Sequence, residues 1–176
     1  MPGKDRRQYR MPVNAFQPGG KARPGSAQML AAAAPACDHG RQHIQRARSL
    51  FTQVQTDGFL TADEDAAHWR AFLGKFNQAN RGSAQQRFYL GSVAGEPAGV
   101  TLLLTTGEVA GIYAVATVPA LRQHGVASTL LARALEDAKA LGCSVFSLQV
   151  SQGSYAEGLY RKQGFGDAFS MVLFSR

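Results

Sequence analysis

The sequence predicts a mixed α/β domain in which an antiparallel meander leads into a strand–helix–strand unit. Three stretches support this prediction. Residues 87–105 hold two short apolar strands separated by a turn at Gly95-Glu96-Pro97. Residues 108–141 combine a β-branched strand with a long amphipathic helix, and residues 145–174 add a strand (145–150), a short helix and a final strand (169–174).

The central strand begins after Glu108 and ends at Pro119, because proline has no N–H to donate to a sheet ladder. The helix that follows has apolar residues at intervals of three and four, which indicates one buried face. These residues are Val126, Leu130, Leu131, Ala134, Leu135, Ala138 and Leu141. Gly142 is a typical helix stop. The right-handed crossover rule then places the next strand parallel to the central one.

The turn before this helix has the chemistry of an anion site. A helix N-terminus offers free N–H groups and a partial positive charge. Gly125 allows close approach, Ala127 is small and Ser128 adds a hydroxyl. Arg122 and His124 can add positive charge. The turn therefore predicts a pyrophosphate site, although the pattern is neither of the usual glycine-rich nucleotide motifs and also fits an ordinary strand-to-helix loop.

Two motifs in sequence order resemble a known family. Arg122, Gly125 and Ala127 fill the [RQ]-x-x-G-x-[GA] signature of the GCN5-related N-acetyltransferase (GNAT) family. Further on, Leu159-Tyr160 and Gly164-Phe165 resemble the family's closing LY-x-x-x-GF. The resemblance extends from Arg87 to the C-terminus. It implies a three-layer fold, with helices on both faces of a mixed, mostly antiparallel sheet that splays apart at the acetyl-CoA site.

The resemblance also implies a set of residues for acetyl-CoA as co-substrate. Backbone groups of Val115, Ala116 and Thr117 would face the pantetheine amides. The pyrophosphate would be bound by the turn, from Arg122, Gln123, His124, Gly125, Val126, Ala127 and Ser128. Ser151 would touch pantetheine, although it also fits a simple turn.

Two residues are candidates for proton transfer. Tyr160 matches the family's tyrosine that protonates the leaving thiolate, and it also fits a core tyrosine beside Leu159. Glu108 could act as the base through water, or be a solvated turn residue. His124 is interpreted as a phosphate neighbour. The histidines and cysteines lack the spacing of a metal site, so no metal is expected.

The N-terminal part of the chain differs in composition from the rest. Residues 1–36 contain five of the seven prolines and six basic residues against one acidic, which predicts a basic, flexible tail ahead of a domain at residues 37–176. Residues 9–16 could pair as a strand, but Pro12 interrupts them, and residues 29–34 could form a helical turn. Helices are predicted from Asp38 to Gln55 and from a capping box at Thr61. The first strand that the family places before these helices is not identified.

The predicted function is transfer of the acetyl group of acetyl-CoA to a primary amine by direct attack in a ternary complex. Three kinds of acceptor fit this prediction: a small amine, an aminoglycoside-like compound and a protein amine. A catalytically idle acetyl-CoA-binding or interaction domain is the alternative, and a homodimer is possible. Two cysteines and no apolar run of ~18–20 residues predict a cytoplasmic protein without a membrane segment. Nucleic acid is not an expected partner, because the tail lacks interleaved aromatic residues.

Overall fold

The computed structural model of the chain describes residues 8–16, 28–31, 38–60, 66–79 and 83–174. Its strands are β1 Gln8–Phe16, β2 Gln28–Ala31, β3 Gln86–Val93, β4 Glu96–Thr106, β5 Val109–Thr117, β6 Val145–Gln149 and β7 Phe165–Phe174. Its helices are α1 Asp38–Phe59, α2 Ala66–Ala79, α3 Val126–Ala140 and α4 Tyr155–Lys162. The strands form one mixed sheet in the order β2-β3-β4-β5-β6-β1-β7.

The centre of the sheet follows the predicted meander and crossover. Strands β3, β4 and β5 are antiparallel neighbours, and β6 lies parallel to β5 after the α3 crossover. Strand β7 begins at Phe165, four residues earlier than predicted. Helix α1 continues through the predicted break at Gly58 as far as Phe59.

A strand does precede the helices. The segment β2 pairs antiparallel with β3 at the sheet edge, with Leu30 opposite Leu90. The helical turn predicted for residues 29–34 is therefore wrong for residues 29–31, because pairing along an open edge outweighs a weak helix preference. Residues 32–34 lie outside the described residues.

The most unexpected placement is that of β1. It pairs antiparallel with both β6 and β7, and thus separates two strands that follow one another in the chain. Pro12 lies opposite Ser170 of β7, whereas β6 reaches only from Val13 to Ala15. The missing proline N–H therefore disrupts no bond to β6. Residues 8–16 and 28–31, which lie within the N-terminal tail predicted for residues 1–36, are strands of the sheet.

The core lies on both faces of the sheet, which gives three layers. On one face, α3 and α4 bury the larger cluster, which includes Leu103, Ile112, Leu130, Leu131, Phe146, Leu148, Tyr160 and Phe165. On the other face, α1 packs on β3, β4 and β5 through Phe51, Val54, Leu90, Val100, Leu102 and Ala116. Within the described residues, no helix has the length and apolar character needed to cross a bilayer.

Candidate acetyl-CoA site

The two parallel strands separate partway along their length. The register of β5 and β6 runs from Val109 opposite Val145 to Ile112 opposite Leu148 and stops there. Beyond this point β5 continues to Thr117 paired with β4, and β6 is paired with β1. A gap therefore opens between residues 113–117 of β5 and the end of β6, where an extended ligand can use backbone groups of β5 as a strand would.

A bulge in β5 marks the beginning of this gap. Leu102 lies opposite Tyr113 and Val100 opposite Ala116, so Ala114 and Val115 together face one residue of β4. Ala114 has a φ of 52°, in the left-handed region that residues other than glycine rarely adopt. Because a bulge leaves backbone groups outside the ladder, it provides donors and acceptors beside the gap. This bulge could not be predicted from the sequence, since alanine is not a typical bulge residue.

The turn that follows β5 has the geometry of an anion site. Gln123 and Gly125 have φ values of 65° and 76°, and Gly125 caps α3 without any side-chain hydrogen bond to the helix. The amide of Thr129 donates to the Gly125 carbonyl at 2.9 Å, as the first bond of the helical ladder. The N–H groups of Val126, Ala127 and Ser128 precede that bond and therefore have no helical partner.

A glycine in β4 lets α3 begin so close to the sheet. A Cβ placed on Gly99 would lie 2.5 Å from Val126 Cγ1 and 3.0 Å from the Ala116 carbonyl oxygen. Only a residue without a side chain fits between the helix start and β5. A glycine inside a strand pattern often marks such a close approach, so the sequence contained a signal for Gly99 that we did not use.

Arg122 makes contacts on the α1 side of the turn. Its Nε donates to the Thr117 carbonyl oxygen at 3.3 Å and its Nη2 donates to the Gly58 carbonyl oxygen at 3.1 Å. His124 is exposed, and its Nδ1 lies 2.8 Å from the Arg122 carbonyl oxygen. The two side chains stabilise the shape of the turn while its backbone supplies the free donors.

Ser151 lies just beyond β6, at the same sheet edge as Thr117, because β5 and β6 are parallel. Its side chain is exposed, and its carbonyl accepts from the amide of Ser154 at 3.2 Å. Ser154 caps α4 by accepting from the amide of Glu157 at 3.3 Å. Ser151 thus sits in the turn that leads into α4, beside the end of the gap.

Tyr160 belongs to the core on the α3 side. Its side chain is buried and meets the ring of Phe165 edge to face, with the ring centroids 6.2 Å apart. Burial raises the pKa of its hydroxyl to about 12. Its hydroxyl makes no hydrogen bond to a described residue. Among the described residues, the one fully buried side-chain oxygen or nitrogen without a partner is Gln86 Oε1. The Tyr160 hydroxyl is therefore not fully buried and retains some access to solvent.

Glu108 lies at the other end of β5. It precedes the strand, is exposed, and accepts a hydrogen bond from Ser144 Oγ at 3.0 Å. Six residues of strand separate it from Ala114, which corresponds to roughly 20 Å. The structure therefore does not bring Glu108 to the gap. Among the described residues, no three histidine, cysteine, aspartate or glutamate side chains are grouped to hold a metal ion.

A pocket of about 280 Å³ lies between α1 and α2. It is lined by Gln55, Thr56, Phe59, Leu60, Trp69 and Leu73. The adjoining end of α1 lies against β5, since a Cβ on Gly58 would be 2.9 Å from Ala116 Cβ. Gly58 thus permits close packing of the helix on the sheet, and this explains why the helix runs through it.

The fold is that of an α/β protein whose sheet is opened between two parallel strands, with a donor-rich turn at the end of one of them. The model of the Acetyltransferase (GNAT) family matches residues 44–165, and the chain belongs to that family. Strands β1 and β2 and most of β7 lie outside the matched residues. No curated protein matches the sequence.

Solved structures with the same fold include a functionally unknown conserved protein from Staphylococcus epidermidis, with 10% identity and a TM-score of 0.66 over 97% of this chain and 60% of that one. A GCN5-related N-acetyltransferase from Kribbella flavida has 18% identity and a TM-score of 0.59 over 93% and 56%. The ribosomal-protein-S18-alanine N-acetyltransferase from Escherichia coli has 14% identity and a TM-score of 0.61 over 81% and 79%. The chain thus spans less than two thirds of the length of the first two proteins, and the likeness is one of fold.

Proposed function

We propose that the chain is an N-acetyltransferase that transfers the acetyl group of acetyl-CoA to a primary amine in a ternary complex. The observation that supports this most directly is the gap between β5 and β6, which begins beside the bulge at Ala114 and ends at the Gly125 turn. One end of such a gap suits a thioester, and the other suits a pyrophosphate.

The residues present fit acetyl-CoA in two respects. The free N–H groups of Val126, Ala127 and Ser128 would bind the pyrophosphate, since Gly125 leaves the approach unhindered. Backbone groups of β5 between Tyr113 and Thr117 would pair with the pantetheine amides. Acetyl-CoA supplies an activated acyl group on a thiol leaving group.

The chain's part in the transfer is to orient the reactants and to stabilise charge. The amine nitrogen forms a bond to the acetyl carbon as the carbon–sulfur bond breaks, and the amine gives up one proton to water. A backbone N–H at the Ala114 bulge can donate to the carbonyl oxygen as negative charge develops there. Tyr160 is the proposed donor of a proton to the thiolate. We do not include Glu108 as the base, because its position is remote from the gap.

An acetyl-CoA-binding domain without catalysis is the second candidate. The burial of Tyr160 favours it, because a phenol with a pKa of about 12 protonates a thiolate less readily than an ordinary tyrosine would. Such a domain would bind acetyl-CoA but acetylate no amine. An enzyme would bind acetyl-CoA and also acetylate an amine.

The experiment combines calorimetry of acetyl-CoA binding with detection of acetylated products and released thiol over an amine panel. Gly125→Glu should abolish binding, because it places bulk and negative charge at the pyrophosphate turn. Gly142→Glu is the matched control, since Gly142 also has a positive φ, of 86°, at the other end of α3 with open space around it. Unchanged affinity in a folded Gly125→Glu protein would remove the assignment of the turn, and binding without any product would favour the second candidate.

A further inference from the structure

One half of the sheet face that bears α1 has no helix over it in the described structure. Helix α1 packs on β3, β4 and β5, and its apolar cluster includes no residue of β6 or β7. Four large apolar residues lie outside the part of the sheet that α1 covers and are 42–57% exposed, namely Val109, Tyr113, Val145 and Phe169. We call these four residues the open face.

The strand registers place these four residues on one side of the sheet. Tyr113 lies opposite Leu102, which belongs to the α1 cluster, and Val109 shares its side because strand residues alternate. Val109 lies opposite Val145. Phe169 and Gln149 both lie opposite the same residue of β1. Gln149 is four residues after Val145 in β6 and therefore faces the same side of the sheet. The four residues of the open face therefore lie on one side of the sheet, on strands β5, β6 and β7.

Tyr113 lies where this face meets the gap. A Cβ on Gly111 would be 2.5 Å from Tyr113 Cε2 and 2.9 Å from its hydroxyl oxygen, so the ring lies flat over Gly111. The β5–β6 pairing ends one residue earlier, at Ile112, and the bulge residue Ala114 follows directly. The ring therefore forms a flat apolar floor beside the position proposed for the acetyl group.

The open face has few partners for a polycationic acceptor. Its four residues are uncharged. Of the described acidic side chains, Asp57 pairs with Arg70, and Arg161 pairs with both Glu157 and Asp167. Glu108, at the rim of the face, accepts a hydrogen bond from Ser144. A spermidine or an aminoglycoside could place one ammonium group near Glu108, but its other ammonium groups would have to lose water against apolar side chains, whereas a single amine must lose its charge before it can attack.

We propose that the acceptor is a small primary monoamine on an apolar body the size of an aromatic ring, and that Tyr113 determines this specificity. The body would pack on the open face, and the amine would point to the gap. This inference rests on the proposed function and narrows its acceptor. An exposed aromatic floor next to the reaction centre suits such a ligand, because flat apolar surfaces gain most from burial against each other.

The test compares 2-phenylethylamine, spermidine and kanamycin as acceptors under identical conditions. We expect kcat/KM for 2-phenylethylamine to exceed that for the two polycations by about 100-fold, since the apolar residues of the open face leave extra ammonium groups unpaired. The variant Gly111→Ala should displace the Tyr113 ring and lower this kcat/KM about 10-fold, which is the usual effect of a lost apolar contact. Tyr113→Leu should act similarly. Both variants should bind acetyl-CoA as the wild type does.

Gly158→Ala is the matched control, because a Cβ at Gly158 of α4 meets no atom within 4 Å. It should change neither kcat/KM for 2-phenylethylamine nor the affinity for acetyl-CoA. Preferential acetylation of spermidine or kanamycin would overturn the inference while leaving the proposed function intact. Failure to acetylate any amine would remove both. A wild-type dimer in sedimentation that Tyr113→Leu converts to a monomer would assign the open face to a second copy, and would also overturn the inference.

Discussion

The guanidinium of Arg122 donates to the carbonyl oxygen of Gly58, 64 residues earlier in the chain, at 3.1 Å. This bond joins the last turn of α1 to the loop that begins the proposed pyrophosphate site. The same side chain also donates to the Thr117 carbonyl oxygen. Helix, strand end and turn are therefore held together by one cation.

We expect Arg122→Gln to raise the KM for acetyl-CoA about 3- to 10-fold, because an exposed charged hydrogen bond contributes roughly 1 kcal/mol. The melting temperature should fall by only a few degrees, since the side chain is exposed. Arg133→Gln, which removes an exposed arginine paired with Asp137 on α3, is the control. An unchanged KM would show that the turn keeps its shape without Arg122.

The close approach at Gly99 leads to a second prediction. Gly99→Ala should destabilise the protein by about 1–3 kcal/mol, because the new Cβ would overlap Val126 and crowd the Ala116 carbonyl. It should also weaken acetyl-CoA binding, since the start of α3 must shift. Denaturant unfolding and calorimetry measure the two effects. A variant as stable as the wild type with full affinity would contradict the packing described here.

Tyr160→Phe tests the proposed proton donor. The ring and its contact with Phe165 remain, so the fold should survive. We expect kcat to fall by ~10²-fold or less, at the lower end for general acids, because a thiolate leaves fairly easily and the buried phenol is a weak acid. Affinity for acetyl-CoA should remain close to wild type. If the variant turns over at the wild-type rate with chemistry rate-limiting, Tyr160 is a packing residue only.

The raised pKa of Tyr160 also predicts a loss of stability in alkali. Burial holds its hydroxyl pKa at about 12 in the folded protein, above the value of about 10 in the unfolded chain. The stabilisation is complete below pH 10 and is lost as pH rises from 10 through 12, because only the unfolded chain ionises readily there. At pH 11 the loss should be on the order of 1 kcal/mol. Melting curves of the wild type and Tyr160→Phe at pH 8 and pH 11 should diverge by that amount, and parallel curves would argue against a buried phenol.

Deletion of residues 1–16 tests the position of β1. Because β1 separates β6 from β7, its removal should expose two unpaired strand edges and strongly lower the melting temperature. Deletion of residues 1–7, which leaves β1 intact, is the control. If both truncated proteins melt like the full chain, β1 is dispensable to the sheet.

Local patterns predicted the elements whose sequence alternates or repeats with a clear period. Strands β3 to β5, helix α3 and strand β6 follow from the spacing of residues such as Val109, Leu130 and Phe146, because each period reports which face is buried. The Gly125 turn was predicted for the same reason, as glycine between a strand and a helix has a direct conformational meaning.

The features that were missed depend on distant parts of the chain. Nothing within residues 8–16 specifies β6 and β7 as their neighbours. Pro12 disfavours a strand in the sequence, but in the structure it lies beyond the residues of β1 that pair with β6. The bulge at Ala114 and the burial of Tyr160 are likewise set by the strands and helices around them. The motif identified Tyr160 as a candidate donor without any information about its environment.

The insertion of β1 has a consequence for biosynthesis. A ribosome makes β1 well before β6 and β7, the two strands between which it fits. Its partners lie 132 to 166 residues further on, which places these pairings among the contacts that close latest during folding. Residues 8–16 therefore have no sheet partner until β6 has been translated, and their pairing with β7 must wait until translation has passed α4. Until β1 has paired, the edges of β6 and later of β7 are open to other strands, so a chaperone at the ribosome exit would protect the protein at this stage.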